Sequence, residues 1–255
     1  MHPGDKTTRL AVAAALAALG TASVTAAPAA AADEEPARLL VVTNTQEYRH
    51  ESIPLLVALV ERGGREGGGW VVERAETDEE LRCLTTAAAL ARFDGVAFLN
   101  SSGDVPLADR AAFLAWVDAG GALVGAHGGG ANTLQGWPEF VGVLGGEFDY
   151  HREQARVRVR VDDASHPATA ELETGFELYD EIYLYKSFDR SRVHVLLSLG
   201  SHPNTGEPGF FPYAWTREQG KGRVFYTGAG HRDDVVRSDW YERHLLAGIR
   251  WALRR

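Results

Sequence analysis

The chemistry-bearing residues of this chain are histidines placed at the ends of apolar runs. His127 sits in Gly125-Ala126-His127-Gly128-Gly129, at the end of the strand-like run Ala122-Leu123-Val124. Glycines on both sides permit the sharp, positive-φ backbone of a nucleophile elbow, with imidazole where serine or cysteine would be. Arg49-His50 follows Leu39-Leu40-Val41-Val42, Asp104 follows Gly95-Val96-Ala97-Phe98-Leu99, and His231 follows Val224-Phe225-Tyr226-Thr227. His151 and the pair Asp180-Glu181 complete the set. Singly, each is an ordinary surface histidine or a solvated acid. Their recurrence after strands marks a site, because ligands of open α/β sheets collect outside the carboxyl ends of the strands. An imidazole in such a place serves as base, acid or metal ligand, since it titrates near neutral pH and binds divalent ions through a neutral nitrogen.

The elements that must position these residues alternate. Strands are expected at 39–42, 70–73, 95–99 and 122–124. Helices are expected at 52–62, with Ser52 as N-cap and Pro54 in the first turn, within 78–90, and at 107–119. Four β-α units in a row imply a parallel, flavodoxin-like sheet flanked by helices. After His127 the pattern changes: Arg156-Val157-Arg158-Val159-Arg160-Val161 alternates with period two, as in a half-solvated antiparallel strand. Further strands are expected at 177–185, 193–199, 213–216 and 223–227, and a last helix over 240–253 with a capping-box start at Asp239 and Glu242. The fold expected is one α/β domain with antiparallel additions in its C-terminal half.

Composition narrows the partners. The 255 residues carry a net charge of −9 and are 45% hydrophobic, which suits a globular core and disfavours nucleic acid or an anionic membrane surface. Residues 1–32 have a short basic start (Lys6, Arg9), the apolar run Leu10 to Leu19 and an alanine-rich tail. They read as a Sec signal peptide, too short for a membrane anchor, so the protein is expected to be secreted; residues 33–37 form a linker and 38–255 the domain. Removal of 1–32 would leave a chain of charge −10. The single cysteine, Cys83, excludes an internal disulfide and a cysteine-built zinc site, and its helical surroundings suggest a buried spectator.

An ordered set of segments resembles the ThuA-like (trehalose utilisation) family. It comprises Tyr48-Arg49-His50, Phe98-Leu99-Asn100 with Gly103-Asp104, Gly120-Gly121 with Gly125-Ala126-His127, and His151 with Gln154. It continues through His166-Pro167, Asp180-Glu181 with Tyr183, Trp215, Gly220 to Thr227, and Gly230-His231. The likeness spans roughly residues 38 to 253. It implies a fold related to class I glutamine amidotransferases and a role in carbohydrate metabolism. Arg152 stands where the family usually has proline, and Gly128-Gly129-Gly130 replaces a less glycine-rich turn. Amidotransferase chemistry does not transfer, because the elbow lacks the thiolate it requires.

The resulting expectation is a secreted enzyme acting on a small-molecule carbohydrate. Its catalytic candidates are His50, His127, His151, Glu181 and His231, and its substrate-binding candidates are Arg49, Asp104, Gln154, Tyr183 and Trp215, with Trp137 a further stacking surface. A divalent metal such as zinc could be held by His50, His127, His151 and His231. Ordinary glycosidases need a pair of flanking carboxylates, whereas here imidazoles predominate and suit proton abstraction beside a carbonyl, as in a keto-sugar or keto-glycoside. The alternative is a non-catalytic carbohydrate-binding module, which needs no cluster of titratable groups.

Overall fold

The computed structural model describes Met1, Gly4 and residues 35–255, and the fold is that of 35–255. The expected signal peptide lies outside the described residues. In chain order the elements are β1 (Ala37–Val42), α1 (Ile53–Gly63), β2 (Trp70–Ala75), α2 (Asp78–Leu84), α3 (Ala87–Leu90), β3 (Gly95–Leu99), α4 (Arg110–Ala119) and β4 (Ala122–Ala126). A helical turn α5 (Gly128–Ala131) and α6 (Pro138–Leu144) lead to β5 (Glu147–Tyr150), β6 (Ala155–Val161), β7 (Gly175–Asp180) and β8 (Leu184–Lys186). β9 (His194–Ser201), β10 (Pro208–Gln219), β11 (Gly222–Thr227), α7 (Asp233–Val236) and α8 (Asp239–Leu253) close the chain.

Nine strands form one sheet in the order β2-β1-β3-β4-β11-β10-β9-β6-β7. The first five run parallel; β10, β9, β6 and β7 then pair antiparallel. β5 and β8 make a separate two-stranded ladder. The near-continuous apolar runs of the parallel strands follow from burial on both faces. Leu39 and Val41 of β1 pack on α1 and α8 through Ile53, Leu56, Leu245 and Ile249. Leu40 and Val42 face the opposite layer, where Leu81, Phe113, Val117 and Phe140 cover them. The parallel half and its antiparallel extension thus match the expected α/β fold.

Several local expectations are corrected. The helix expected within 78–90 is two short helices, since Thr77 and Thr86 each cap a new start and Thr77 forms a capping box with Glu80. Cys83 is exposed rather than buried: Leu81 is the buried residue of α2, and a residue two positions on points to the far side of a helix. The capping box expected at Asp239 and Glu242 does not form. Ser238 takes the N-cap position without a side-chain bond, and Glu242 instead accepts both terminal guanidinium nitrogens of Arg62 at 2.8 Å. The strand expected over 177–185 breaks after Asp180, and Glu181-Ile182-Tyr183 carries the chain to the second ladder. β6 alternates as expected, Val157 and Val159 buried and Arg156, Arg158 and Arg160 exposed, and pairs antiparallel with both β9 and β7.

Candidate metal centre

The loops that follow β1, β3, β4 and β11 leave one edge of the sheet and are tied together by Asn100. This residue ends β3 in a left-handed conformation (φ 51°) that asparagine tolerates better than most. Its fully buried amide donates to Ser52 Oγ (3.0 Å) and to the Gly230 carbonyl (3.1 Å), and accepts from the Gly128 N–H (3.0 Å). Ser52 occupies the N-cap position of α1, yet its hydroxyl donates to Gly230 O (2.8 Å) instead of capping the helix. Three chain segments are thereby locked around one amide.

His127 holds the elbow, at φ 50° and ψ −114°. The flanking glycines are sterically required. A Cβ on Gly129 would lie 2.0 Å from the Phe98 carbonyl oxygen, and one on Gly125 would lie 2.6 Å from Gly129 O. The His127 Nδ1 lies 2.9 Å from the Gly228 carbonyl, which can only accept, so Nδ1 carries a proton and Nε2 faces the site. Tyr226 Oη donates to the His127 carbonyl (2.8 Å) and fixes the turn from the other side.

His231 is held from both flanks. The buried Asp180 carboxylate accepts from the backbone N–H groups of Gly230 (3.0 Å) and Arg232 (3.1 Å); burial nonetheless keeps its pKa above the ordinary carboxylate value. Glu181, the next residue, turns into the site. Its Oε2 lies 3.3 Å from both His127 Nε2 and His231 Nδ1, and its Oε1 lies 3.3 Å from His151 Nδ1.

His50, His127, Glu181 and His231 each direct one potential ligand atom to a common centre, all within 4.8 Å of one another. A tetrahedral shell at about 2.1 Å from a zinc ion has ligand atoms roughly 3.4 Å apart, close to the two 3.3 Å separations here. His50 Nδ1 is a buried atom without a hydrogen-bond partner, and the buried His127 Nε2 and His231 Nδ1 share one carboxylate oxygen, Glu181 Oε2, at a long 3.3 Å. Buried polar atoms are ordinarily satisfied at shorter range, so three buried imidazoles gathered with one carboxylate fit a cation between them. Burial, reinforced by His127 and His231, pushes the His50 pKa down to about 3, which keeps it neutral and able to ligate. Burial opposes ionisation of Glu181, but the neighbouring His127 and His231 outweigh it and hold the carboxyl well below its usual range. For His231 burial acts downward and the Glu181 carboxylate more than offsets it, so its pKa is raised.

A cavity of about 450 Å³ opens over this centre, walled by Tyr48, Asn132, Phe148, His151 and Tyr183. The Tyr183 ring lies against His127, centroids 4.1 Å apart, and Tyr48 meets His50 edge-on at 4.8 Å.

A family model for ThuA, described as trehalose utilisation, matches residues 38–252. The chain belongs to the ThuA family. Among solved structures it is similar to a ThuA-like protein from Bacteroides uniformis, at 26% identity and TM-score 0.70, covering 89% of this chain and 95% of that one. A ThuA-like protein from Parabacteroides merdae is 18% identical with TM-score 0.68, covering 86% and 90%. The cytoplasmic protein STM1381 from Salmonella typhimurium shares the fold at 14% identity and TM-score 0.60, covering 84% and 99%. No curated protein matches the sequence significantly.

In this ThuA chain the other sequence-derived candidates divide. His151 lies on the rim, 40% exposed, its Nδ1 2.9 Å from the Arg152 carbonyl, and is outside the ligand cluster, where Glu181 takes the fourth place. Tyr183 is on the cavity wall, and Gln154 flanks His231 by accepting from Arg232 (2.8 Å). Three candidates lie elsewhere. Arg49 turns back to the Thr43 carbonyl and Glu76, and Asp104 pairs with Arg110 at the surface. Trp215 is fully buried, donating to Leu144 O (2.8 Å) and packing on Tyr226. Trp137 packs on Phe140 at the edge of the second core layer. The sequence reading missed Tyr48, Asn132 and Phe148 on the cavity and Asn100 beneath it. Tyr48 and Asn100 both stand in segments that carry the family resemblance, Tyr48 two residues from His50 and Asn100 directly after the β3 run, but neither was assigned a role.

Proposed function

We propose that this ThuA protein is a metal-dependent enzyme acting on a keto-sugar or keto-glycoside, exported by a Sec signal peptide at residues 1–32. The convergence of the His50, His127 and His231 imidazoles on the Glu181 carboxylate, with potential ligand atoms all within 4.8 Å of one another, carries this reading. His50, His127, His231 and Glu181 would hold the ion, and a divalent cation so held supplies Lewis-acid polarisation of a substrate carbonyl. His127 would contribute Nε2, since the Gly228 carbonyl engages its Nδ1. His151, at the mouth, is the residue placed to move a proton: Arg152 O and Glu181 Oε1 both face its Nδ1, which leaves Nε2 basic. Tyr183, Phe148 and Tyr48 offer apolar surface for a sugar ring. The family's tie to trehalose utilisation supplies the substrate class. A carbohydrate-binding module would have no use for buried imidazoles gathered in this way, which lower stability unless occupied.

The test is elemental analysis of the purified protein together with incubation on trehalose and on its keto derivative. Near one equivalent of divalent metal, and turnover of the keto derivative lost in both His127→Ala and His151→Ala, are expected. Turnover of intact trehalose that persists in His127→Ala would overturn the mechanism.

A further inference from the structure

The sheet edge opposite the histidines carries a cavity of about 470 Å³, where β11 begins and α8 ends. Four of its lining residues are arginines, Arg223, Arg250, Arg254 and Arg255, and no carboxylate lines it. The whole chain has 26 Lys and Arg against 35 Asp and Glu. A concave site of four guanidiniums runs against that balance and concentrates positive potential in an otherwise acidic molecule.

Main-chain carbonyls, rather than counter-ions, fix these side chains. Arg223 Nη1 donates to Trp251 O (2.9 Å) and Arg254 Nη2 donates to Lys221 O (2.8 Å), while Arg250 lies 5.9 Å from the centre of the Trp70 ring. Arg223 Nε is a buried donor without a hydrogen-bond partner; the exposed Glu218 stands 3.8 Å from it. Among the described residues no carboxylate forms an ion pair with Arg250 or Arg254. Burial, and after it the Arg254 charge, lowers the Arg223 pKa, as expected where like charges are held together. The carbonyls at the end of α8, which would repel an anion, already hold donors. Trp251 O also accepts from the Arg254 N–H (3.3 Å), and Arg250 O accepts from the Arg255 N–H (3.0 Å).

Size and shape narrow the anion. The cavity falls within the range of small-molecule sites, about 300–1,000 Å³, and is roomier than a single inorganic ion requires. Pro167 and Trp251 give it an apolar wall. Trp251 is held between neighbours, 4.8 Å from the Arg223 guanidinium and 5.1 Å from the His166 ring, so the His166-Pro167 segment, which has no part in the histidine cluster, belongs to this wall. A planar guanidinium donates to two oxygens at once. A phosphoryl group offers three oxygens and about two negative charges to such forks, whereas a carboxylate brings a single charge.

We propose that this cavity binds the phosphoryl group of a soluble organic phosphate ester, with the carbon body of the ester lying on Pro167 and Trp251. The site is separate from the histidine cluster, which lies beyond the other end of β11, and it stands whether or not that cluster is catalytic.

Calorimetric titration of the full-length protein with phenyl phosphate and with benzoate, which carries the same ring on a carboxylate, tests it. Phenyl phosphate should bind with a dissociation constant below about 1 mM and at least about tenfold tighter than benzoate. Arg250→Gln and Arg254→Gln, each checked by thermal melting, should each weaken phenyl phosphate about tenfold or more, because each removes charge-assisted hydrogen bonds. Arg254 is exposed, so its variant keeps the fold even where the other does not. Flotation with phosphatidylglycerol vesicles separates a free ester from a lipid headgroup. No saturation by phenyl phosphate up to about 10 mM, equal affinity for benzoate, unchanged affinity in either folded variant, or vesicle binding without phenyl phosphate binding would each overturn the proposal.

Discussion

Replacing Asn100 by alanine should damage both the fold and the metal centre. The variant loses the donations to Ser52 Oγ and Gly230 O, about 1 kcal/mol each, and strands the buried Gly128 N–H, worth about 1–3 kcal/mol. Alanine at a backbone angle of φ 51° adds roughly 1 kcal/mol that asparagine largely avoids. The total is about 4–6 kcal/mol, a large share of the 5–15 kcal/mol typical of a folded domain. At roughly 2–4 °C per kcal/mol for a domain of this size, the melting temperature should fall by about 10–20 °C. Asn100→Gly removes the same hydrogen bonds but not the backbone tolerance, so it should melt a few degrees above the alanine variant. Both should bind divalent metal more weakly, because Gly128 adjoins His127 and Gly230 adjoins His231. Thermal melts by circular dichroism and metal titration supply the readouts. A fall below about 4 °C, coincident melts of the two variants, or unchanged metal affinity in the folded variants would refute the account of Asn100 as the tie between loops.

Three further outcomes follow from groups away from the cluster. His244 is fully buried, donates its Nδ1–H to the Ala168 carbonyl (2.8 Å), and has its pKa pushed by burial down to about 4. The unfolded chain therefore binds a proton near pH 6.5 that the folded chain refuses, so its contribution is complete above pH 6.5 and is lost as pH falls toward 4, about 3 kcal/mol in all. His244→Gln should flatten that part of the stability profile in urea titrations at stepped pH, and parallel profiles would count against it. Trp215→Phe should lower stability by about 1–3 kcal/mol, through the orphaned Leu144 carbonyl, with sugar and metal affinities unchanged; a specific loss of sugar binding would return Trp215 to the site. Cys83, being exposed, should react fully with Ellman's reagent in the native protein, and protection until denaturation would contradict its placement.

The parallel half of the fold was legible because its signals are local. Doubly buried strands read as unbroken apolar runs, and the polar residues that follow them fall at one sheet edge by topology alone. That reasoning brought His50, His127 and His231 together from separate parts of the chain. It failed for Arg49 and Asp104, which share the same strand-end loops but have long or flexible side chains with nearer partners in Glu76 and Arg110. Trp215 misled because an aromatic in a sugar-related motif and an aromatic in a core have the same composition; burial alone separates them. The break between Asp180 and Glu181 was invisible, since nothing local distinguishes a strand that continues from one that crosses to another ladder. The two adjacent acids part there, Asp180 going to the Gly230 loop and Glu181 to the histidines. Asn100 was hard to single out because its value lies in partners remote in sequence.

The Ser52 to Gly230 bond joins residues 178 positions apart and sits directly under the cluster. A ribosome making this chain releases the first imidazole after β1, the elbow after β4 and the last imidazole only after β11. A nascent chain that stops short of His231 lacks one of the four ligands, so the complete set cannot form before β11 has emerged. Occupancy of the centre would then report that β11 has reached its slot between β4 and β10, which would make a bound ion a marker of completed sheet assembly.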